Sequence, residues 1–180
     1  PRERLEFFPR RRQGEKLQVI TVANFKGGSA KTTTALYLSQ YLALAGFRVL
    51  ALDLDPQASL SAMYGYQPEF DIGQNETIYG AIRYDDQRRP MREIVRPTYF
   101  DGIGLVPGNL ELMEFEHHTP RAIIERRERG HDLFFRRLAT AIDQVADDYD
   151  VVVIDCPPQL GYLTMGALNA ARSEERRVGK

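Results

Sequence analysis

Cysteine is all but missing from this chain. The only one, Cys156, excludes an internal disulfide framework and any cysteine-built metal site within these residues. Long hydrophobic runs are missing too: no apolar stretch approaches the ~20 residues of a membrane span. Nor does one charge predominate. Lysine and arginine number 24 against 25 acidic residues, so no global basicity marks a nucleic-acid binder, and such a role would need a local patch. Repeats and low-complexity tracts are absent. A composition 43% hydrophobic and 27% charged excludes a wholly disordered chain. What is left is a 180-residue chain, long enough for one domain with a buried core, and a reducing cytoplasm is its expected setting.

The ends read differently. Residues 1–16, PRERLEFFPRRRQGEK, are polar and arginine-rich and are expected to be a linker or arm left from an upstream region. A solvated basic leader and a DNA-contacting arm are its two readings. Residues 172–180, RSEERRVGK, match the translation of a common short-read sequencing adapter and are expected to be an artefact. The expected domain is therefore 17–171, truncated at both ends.

Along that stretch, LQVITVAN (17–24) is a β-rich apolar run of strand length, FRVLALDLD (47–55) reads as a second buried strand ending in acids, and DYDVVVIDCPP (148–158) as a third. IGLVPGN (103–109) is a weaker fourth strand. The apolar run of the third suits a strand covered on both faces, as in parallel sheets. KTTTALYLSQYLALAG (31–46) is expected to be a helix, with Leu36, Leu38, Tyr41, Leu42, Leu44 and Ala45 at helical spacing and Gly46 as its stop. ETIYGAIRY (76–84) and DLFFRRLATAIDQVAD (132–147) read as amphipathic helices, while 64–75 and 84–101 read as surface excursions. His117 and His118 before TPR suggest a helix end and turn, and Arg121 to Arg129 a solvated face. Neither these histidines nor His131 has metal-ligand spacing. Cys156 reads as a small buried hydrophobe. Strands alternating with helices give an α/β fold with a mostly parallel sheet flanked by helices.

The chemistry starts at NFKGGSAKTTT, residues 24–34. Strand, glycine turn, lysine-threonine and helix is the layout of a P-loop NTPase. Successive backbone N–H groups form an anion-sized nest, and the helix aims its positive end at the same point. Lys31 would bring charge to the phosphates and Thr32 a hydroxyl to Mg²⁺. Phe25 and Ala30 stand where G-x-x-x-x-G-K-[ST] has glycine, leaving K-G-G-x-x-K-[ST]. If Ala30 needs a positive φ, alanine costs ~1 kcal/mol relative to glycine, and otherwise little. Two further strands end in acids: Asp53 and Asp55 in ALDLDPQ, and Asp155 in VVVIDCPP. Ligands bind at the carboxyl ends of parallel strands, where one carboxylate can hold metal-bound water and another can orient the attacking water.

Together these residues resemble the ParA/MinD group of deviant-Walker ATPases. KGGSAKTTT is similar to its signature loop, LDLDPQ to its switch I, and VVVIDCPPQLG to its Walker B and switch II. PQASLSAM, NETIYGAIRYDDQRRP and LVPGNLELMEFEHHTPRA resemble the RepA partition proteins of repABC-type plasmids, over Leu17 to Ala171. The resemblance implies an ATP- and Mg²⁺-dependent ATPase. Its loop, Lys26, Gly27, Gly28, Ser29, Ala30, Lys31, Thr32 and Thr33, would hold the nucleotide. Lys26 would cross an ATP-sandwich homodimer to the phosphates of the other subunit, and Lys31 would bind phosphate beside it. Asp55 would position the attacking water. Thr32 would ligate Mg²⁺, and Asp155 would hold the ion through water. Asp53 would be structural. Further implications are non-specific DNA binding, a ParB/RepB-type centromere-binding partner that stimulates hydrolysis, and a cytoplasmic, nucleoid-associated location. Much of the DNA and adenine contact would come from the half after Walker B. A MinD-like membrane-cycling ATPase, which needs a C-terminal amphipathic helix, is the alternative in the same group. An inactive fragment that does not fold is the other. An iron-protein ATPase would need cluster cysteines.

Overall fold

A run of β-branched residues wants cover on both faces, and Val151–Ile154 has it: all four are buried. The structure, a computed structural model, describes residues 17–26, 28, 30–125 and 133–173. The arm 1–16, Gly27, Ser29, His131, the end of the Arg121–Arg129 run and residues 174–180 lie outside these. In chain order the strands are β1 (Gln18–Val22), β2 (Val49–Asp53), β3 (Arg96–Pro97), β4 (Ile103–Val106) and β5 (Val151–Asp155). They form one sheet in the order β1-β5-β2-β4-β3, parallel except for β3, which runs antiparallel to β4. The helices are α1 (Lys31–Leu44), α2 (Ser59–Met63), α3 (Pro68–Asp71), α4 (Ile78–Ile82), α5 (Met91–Ile94), α6 (Leu112–Ile124), α7 (Phe134–Asp143) and α8 (Tyr162–Ser173).

Side chains alternate across a strand, and that period divides the core in two. Leu50, Leu52, Val152 and Ile154 point to one face, where residues of α4, α6, α7 and α8 cover them. Val49, Ala51, Val151 and Val153 point to the other, against α1 and α2. The middle of the inward face of α1 is small, with Ala35 and Ser39 both fully buried. Leu36, Leu38 and Leu42 flank that line, whereas Tyr41 and Leu44 of the expected apolar set are exposed with Tyr37. Gly46 ends the helix as expected. It takes φ 98°, and the N–H groups of Gly46 and Phe47 turn back to Ala43 O and Leu42 O, the paired bonds of a Schellman motif.

Three other expectations need correction. Residues 76–84 do not form an amphipathic helix: α4 has five residues and all are buried. The segment 84–101 is not purely a surface excursion. Met91 and Ile94 are fully buried, three residues apart, while Arg88 and Arg92 beside them are exposed. Arg89 and Arg96 pair with Glu76, and Arg92 with Asp148. The helix does not end at His117 and His118 either, but runs on through Pro120 to Ile124. Leu112, Phe115, Thr119 and Ala122 are buried along one side of it, and Phe115 stacks on Tyr84. That anchoring outweighs the loss of one helical hydrogen bond at proline. His118 instead pairs with Glu114 one turn earlier, at 3.2 Å.

The entry ends of β2 and β5 are locked together by one ion pair. Asp150, 7% exposed, accepts the Arg48 backbone N–H at 2.8 Å, Nε at 3.2 Å and Nη2 at 2.9 Å. Asp150 N–H returns a bond to Arg48 O at 2.8 Å, and Gln18 N–H reaches Asp150 O at 3.1 Å. Three strands are thus set in register at the end opposite their acidic residues. Asp150→Ala removes the charge-assisted bonds and leaves a backbone donor unmatched. It should lower unfolding free energy by about 1–3 kcal/mol in urea melts, and an unchanged midpoint would dismiss this clamp.

Candidate nucleotide site

The glycine turn leaves the sheet at Val22, and its first bend is held by a side chain. Asn24 Oδ1 accepts the Lys26 backbone N–H at 3.0 Å. Gly28 adopts φ 69° and Ala30 φ 57°, ψ 24°, both left-handed. Ala30 therefore falls in the costly case, and its conformation aims the chain into α1. Among the described residues no side chain caps the start of α1, and no acidic residue lies in its first turn, so the helix's N-terminal donors stay available to a ligand. Lys31, Thr32 and Thr33 form the first turn and are half-buried.

The acids converge from the two neighbouring strands. Asp53 of β2 and Asp155 of β5 are Cα partners, at the carboxyl end of the sheet, and both side chains are fully buried. Their surroundings differ sharply. Asp53 accepts the Ser61 N–H at 2.8 Å, the Ser61 hydroxyl at 2.7 Å and the Asp55 N–H at 3.3 Å. Burial nevertheless pushes its carboxyl up to about 7, and the charge of Asp155 adds to the rise. Asp155 has both carboxylate oxygens buried with no hydrogen-bond partner in donor geometry among the described residues. Burial pushes it up to about 6. The Thr32 hydroxyl and the Lys31 charge favour its ionised form, and the Asp55 charge opposes it. Asp55, half-exposed, accepts the Gln57 N–H at 2.9 Å.

A buried carboxylate with unpaired oxygens beside a threonine hydroxyl and a lysine fits a hydrated divalent cation, whose waters are donors. Thr32 could give the ion a direct oxygen and Asp155 could hold it through water. The structure brings Lys31, Thr32, Asp55 and Asp155 to one place, with Asp53 behind them. Lys26 is exposed on the turn, with its backbone N–H held by Asn24. Cys156 is buried beside the site and its thiol is pushed up to about 12 by burial, the state of an inert hydrophobe.

Three residues of this neighbourhood went unmarked in the sequence. Asn24 shapes the bend before Lys26. Ser61, within PQASLSAM but given no role there, holds Asp53 from α2. Gly108, in the IGLVPGN stretch read only as a weaker strand, packs directly on residues 53–55. A Cβ there would lie 2.7 Å from the Asp53 carbonyl oxygen.

Residues 17–174 match the AAA domain family (AAA_31). The chain belongs to that family. It is 65% identical over 167 residues to a protein named replication protein A from Rhizobium rhizogenes, covering 93% of this chain and 41% of that protein. It is 37% identical over 156 residues to the chromosome partitioning protein ParA of Myxococcus xanthus, covering 87% of this chain and 50% of that one. The chain thus spans half or less of the length of these relatives. Among solved structures, a cobyrinic acid a,c-diamide synthase of Mycobacterium smegmatis with a bound ATP analogue and magnesium superposes with a TM-score of 0.74 at 33% identity. That match covers 86% of this chain and 57% of the other. The names agree with the ParA/MinD-type, RepA-like resemblance carried by the motifs.

The geometry of this AAA-family site has two measurable consequences. Ala30→Gly relieves a left-handed alanine worth ~1 kcal/mol, and the looser unfolded chain offsets part of it. Chemical denaturation should show a net gain of under about 1 kcal/mol, and a loss would mean the alanine is not strained. The second concerns pH without bound metal. Asp53 and Asp155 titrate at about 7 and about 6 instead of 3.8, so the folded protein holds more protons than the unfolded chain across that window. Their contribution to stability should be fullest below about pH 4 and decline as pH rises through 6 to 7. Asp155→Asn should flatten part of the decline and raise stability at about pH 8 by on the order of 1–3 kcal/mol. Urea melts at about pH 5 and 8 would show this, and identical pH dependence in both proteins would refute it.

Proposed function

We propose that this protein is an ATP-hydrolysing plasmid partition protein that works as an ATP-dependent dimer. The observation carrying the reading is Asp155, a buried carboxylate whose oxygens make no close hydrogen bond among the described residues, beside Thr32 and Lys31 at the carboxyl end of a parallel sheet. The naming of relatives as replication and partition proteins supports the biological setting. The solved relative holding an ATP analogue and magnesium supports ATP and Mg²⁺ as ligands.

In this reading residues 17–171 are part of the ATPase domain. The backbone from Lys26 to Thr33 cradles the phosphates, and Lys31 neutralises their charge. Thr32 would ligate Mg²⁺ through its hydroxyl, and Asp155 would hold the ion through water. Bound there, Mg²⁺ draws charge from the phosphate oxygens. Asp55 orients the attacking water in line with the bond that breaks. Lys26, exposed on the turn, reaches the phosphates bound by a second copy, so hydrolysis awaits the dimer. The dimer binds DNA, and a ParB/RepB-type centromere-binding protein stimulates turnover and release. The setting is cytoplasmic and nucleoid-associated.

Nucleotide affinity measured beside dimer fraction tests these roles. Lys31→Ala should abolish ATP binding. Asp55→Ala should bind ATP yet turn it over at least about a hundredfold more slowly. Lys26→Gln should keep monomer affinity within about twofold while losing ATP-dependent dimer and stimulated hydrolysis. If its affinity falls as far as with Lys31→Ala, Lys26 acts within its own subunit and the dimer reading is wrong.

A further inference from the structure

The geometry points to Ser61 and Gly108 as a clamp that positions Asp55 for hydrolysis, an inference that rests on the ATPase reading. Ser61 lies on α2 and is fully buried. Its hydroxyl donates to Asp53 Oδ2 at 2.7 Å and accepts the Gly108 N–H at 3.2 Å. Its own N–H reaches the same Asp53 oxygen at 2.8 Å. The other Asp53 oxygen accepts the Asp55 N–H at 3.3 Å. One hydroxyl therefore joins three segments: the end of β2, the helix after it, and the loop leaving β4.

Gly108 completes the grip through its bareness. A Cβ there would stand 2.7 Å from Asp53 O and 3.0 Å from Asp55 O, both main-chain atoms that cannot swing aside. The stretch 53–55 is thus pressed by Gly108 on one side and bonded through Asp53 to α2 on the other. Two bonds to the next residues of the chain orient Asp55 itself. Its carboxylate accepts the Gln57 N–H, and its main-chain oxygen accepts the Ala58 N–H at 2.9 Å. A slack clamp would let this whole turn shift.

The phosphate-binding groups sit on a different loop. Lys31 and Thr32 come after β1, and none of the clamp bonds involves them. Loosening the clamp should therefore spare nucleotide binding and blunt the step that depends on placing water, where a displacement near 1 Å is costly. Ser61 and Gly108 are positioning residues, since neither would touch the substrate.

The test is Ser61→Ala in the full chain. Turnover at saturating ATP should fall about tenfold, while affinity for a non-hydrolysable ATP analogue changes less than about twofold. Ser61→Thr keeps the hydroxyl and should recover most of the turnover. Hydrogen–deuterium exchange reads the clamp without catalysis: the Asp55 amide should exchange at least about tenfold faster in Ser61→Ala. Should that variant fail to fold, Asp53→Asn keeps the shape, weakens the same bonds and carries the same expectations. Unreduced turnover with only a lower melting temperature would make Ser61 purely structural and overturn the clamp. Unchanged exchange at Asp55, or affinity and turnover falling together, would overturn it as well. If the unsubstituted protein does not hydrolyse ATP, the ATPase reading fails and the exchange result alone decides the clamp.

Discussion

Asp53 and Asp155 end neighbouring strands in the same register, so two acidic groups are buried at adjoining places in the sheet. Burying one carboxylate is costly, and burying two together is more so. The fold meets the cost for Asp53 with three close donors, whereas Asp155 is offset only in part, by the Thr32 hydroxyl and the Lys31 charge. A chain shaped only for stability would place an amide or an apolar residue at position 155. Local arrangements that work against stability concentrate at functional sites, and the Asp155 carboxylate is this chain's clearest one. The central placement of β5 fits the same constraint, because a strand flanked on both sides holds its last residue away from water.

The two lysines of the glycine turn occupy opposite electrostatic settings. Lys31 begins α1, where the helix adds its own partial positive charge and the Asp155 carboxylate faces both. Lys26 stands on the turn, its backbone N–H held by Asn24 and the residue exposed. A cation spent on its own site would be drawn inward by the acids. Lys26 is instead exposed, and under the proposed reading its charge is available to a second copy.

Much of this was legible in the sequence, and the reasons are local. Val151–Ile154 could only be a covered strand, and the β1-turn-α1 unit rests on β-branched residues, glycines and a helical run closed by Gly46. The acids at strand ends were legible because a parallel sheet places all such ends on one side. What escaped depends on contacts between distant segments. Residues 76–84 carry polar groups suggesting an exposed face, yet α4 is covered by α6 and α7 and wholly buried. Met91 and Ile94 were hidden among arginines that pair with acids far along the chain. Pro120 read as a stop because proline is a local signal, whereas the stack of Phe115 on Tyr84 that carries the helix through it is not. Ser61 was invisible for the same reason, its partners lying 8 and 47 residues away.

The site is divided by charge. One wall is positive, made of Lys31 and the uncapped start of α1, and the other is negative, made of Asp155 and Asp55. Neither wall alone selects a ligand: the first would accept any anion and the second any cation. Between walls this close, a bare anion would meet the carboxylates and a bare cation would meet the lysine. Under the proposed reading a metal-bound polyphosphate would satisfy both at once, with Lys31 meeting its charge and Asp155 holding its metal through water. The stretch that carries Asp55 is also gripped most firmly, by Asp53, Ser61 and Gly108, on a side of the site separate from the phosphate turn. Under the proposed reading, binding and water placement fall to different loops, so the nucleotide could be held while hydrolysis waits.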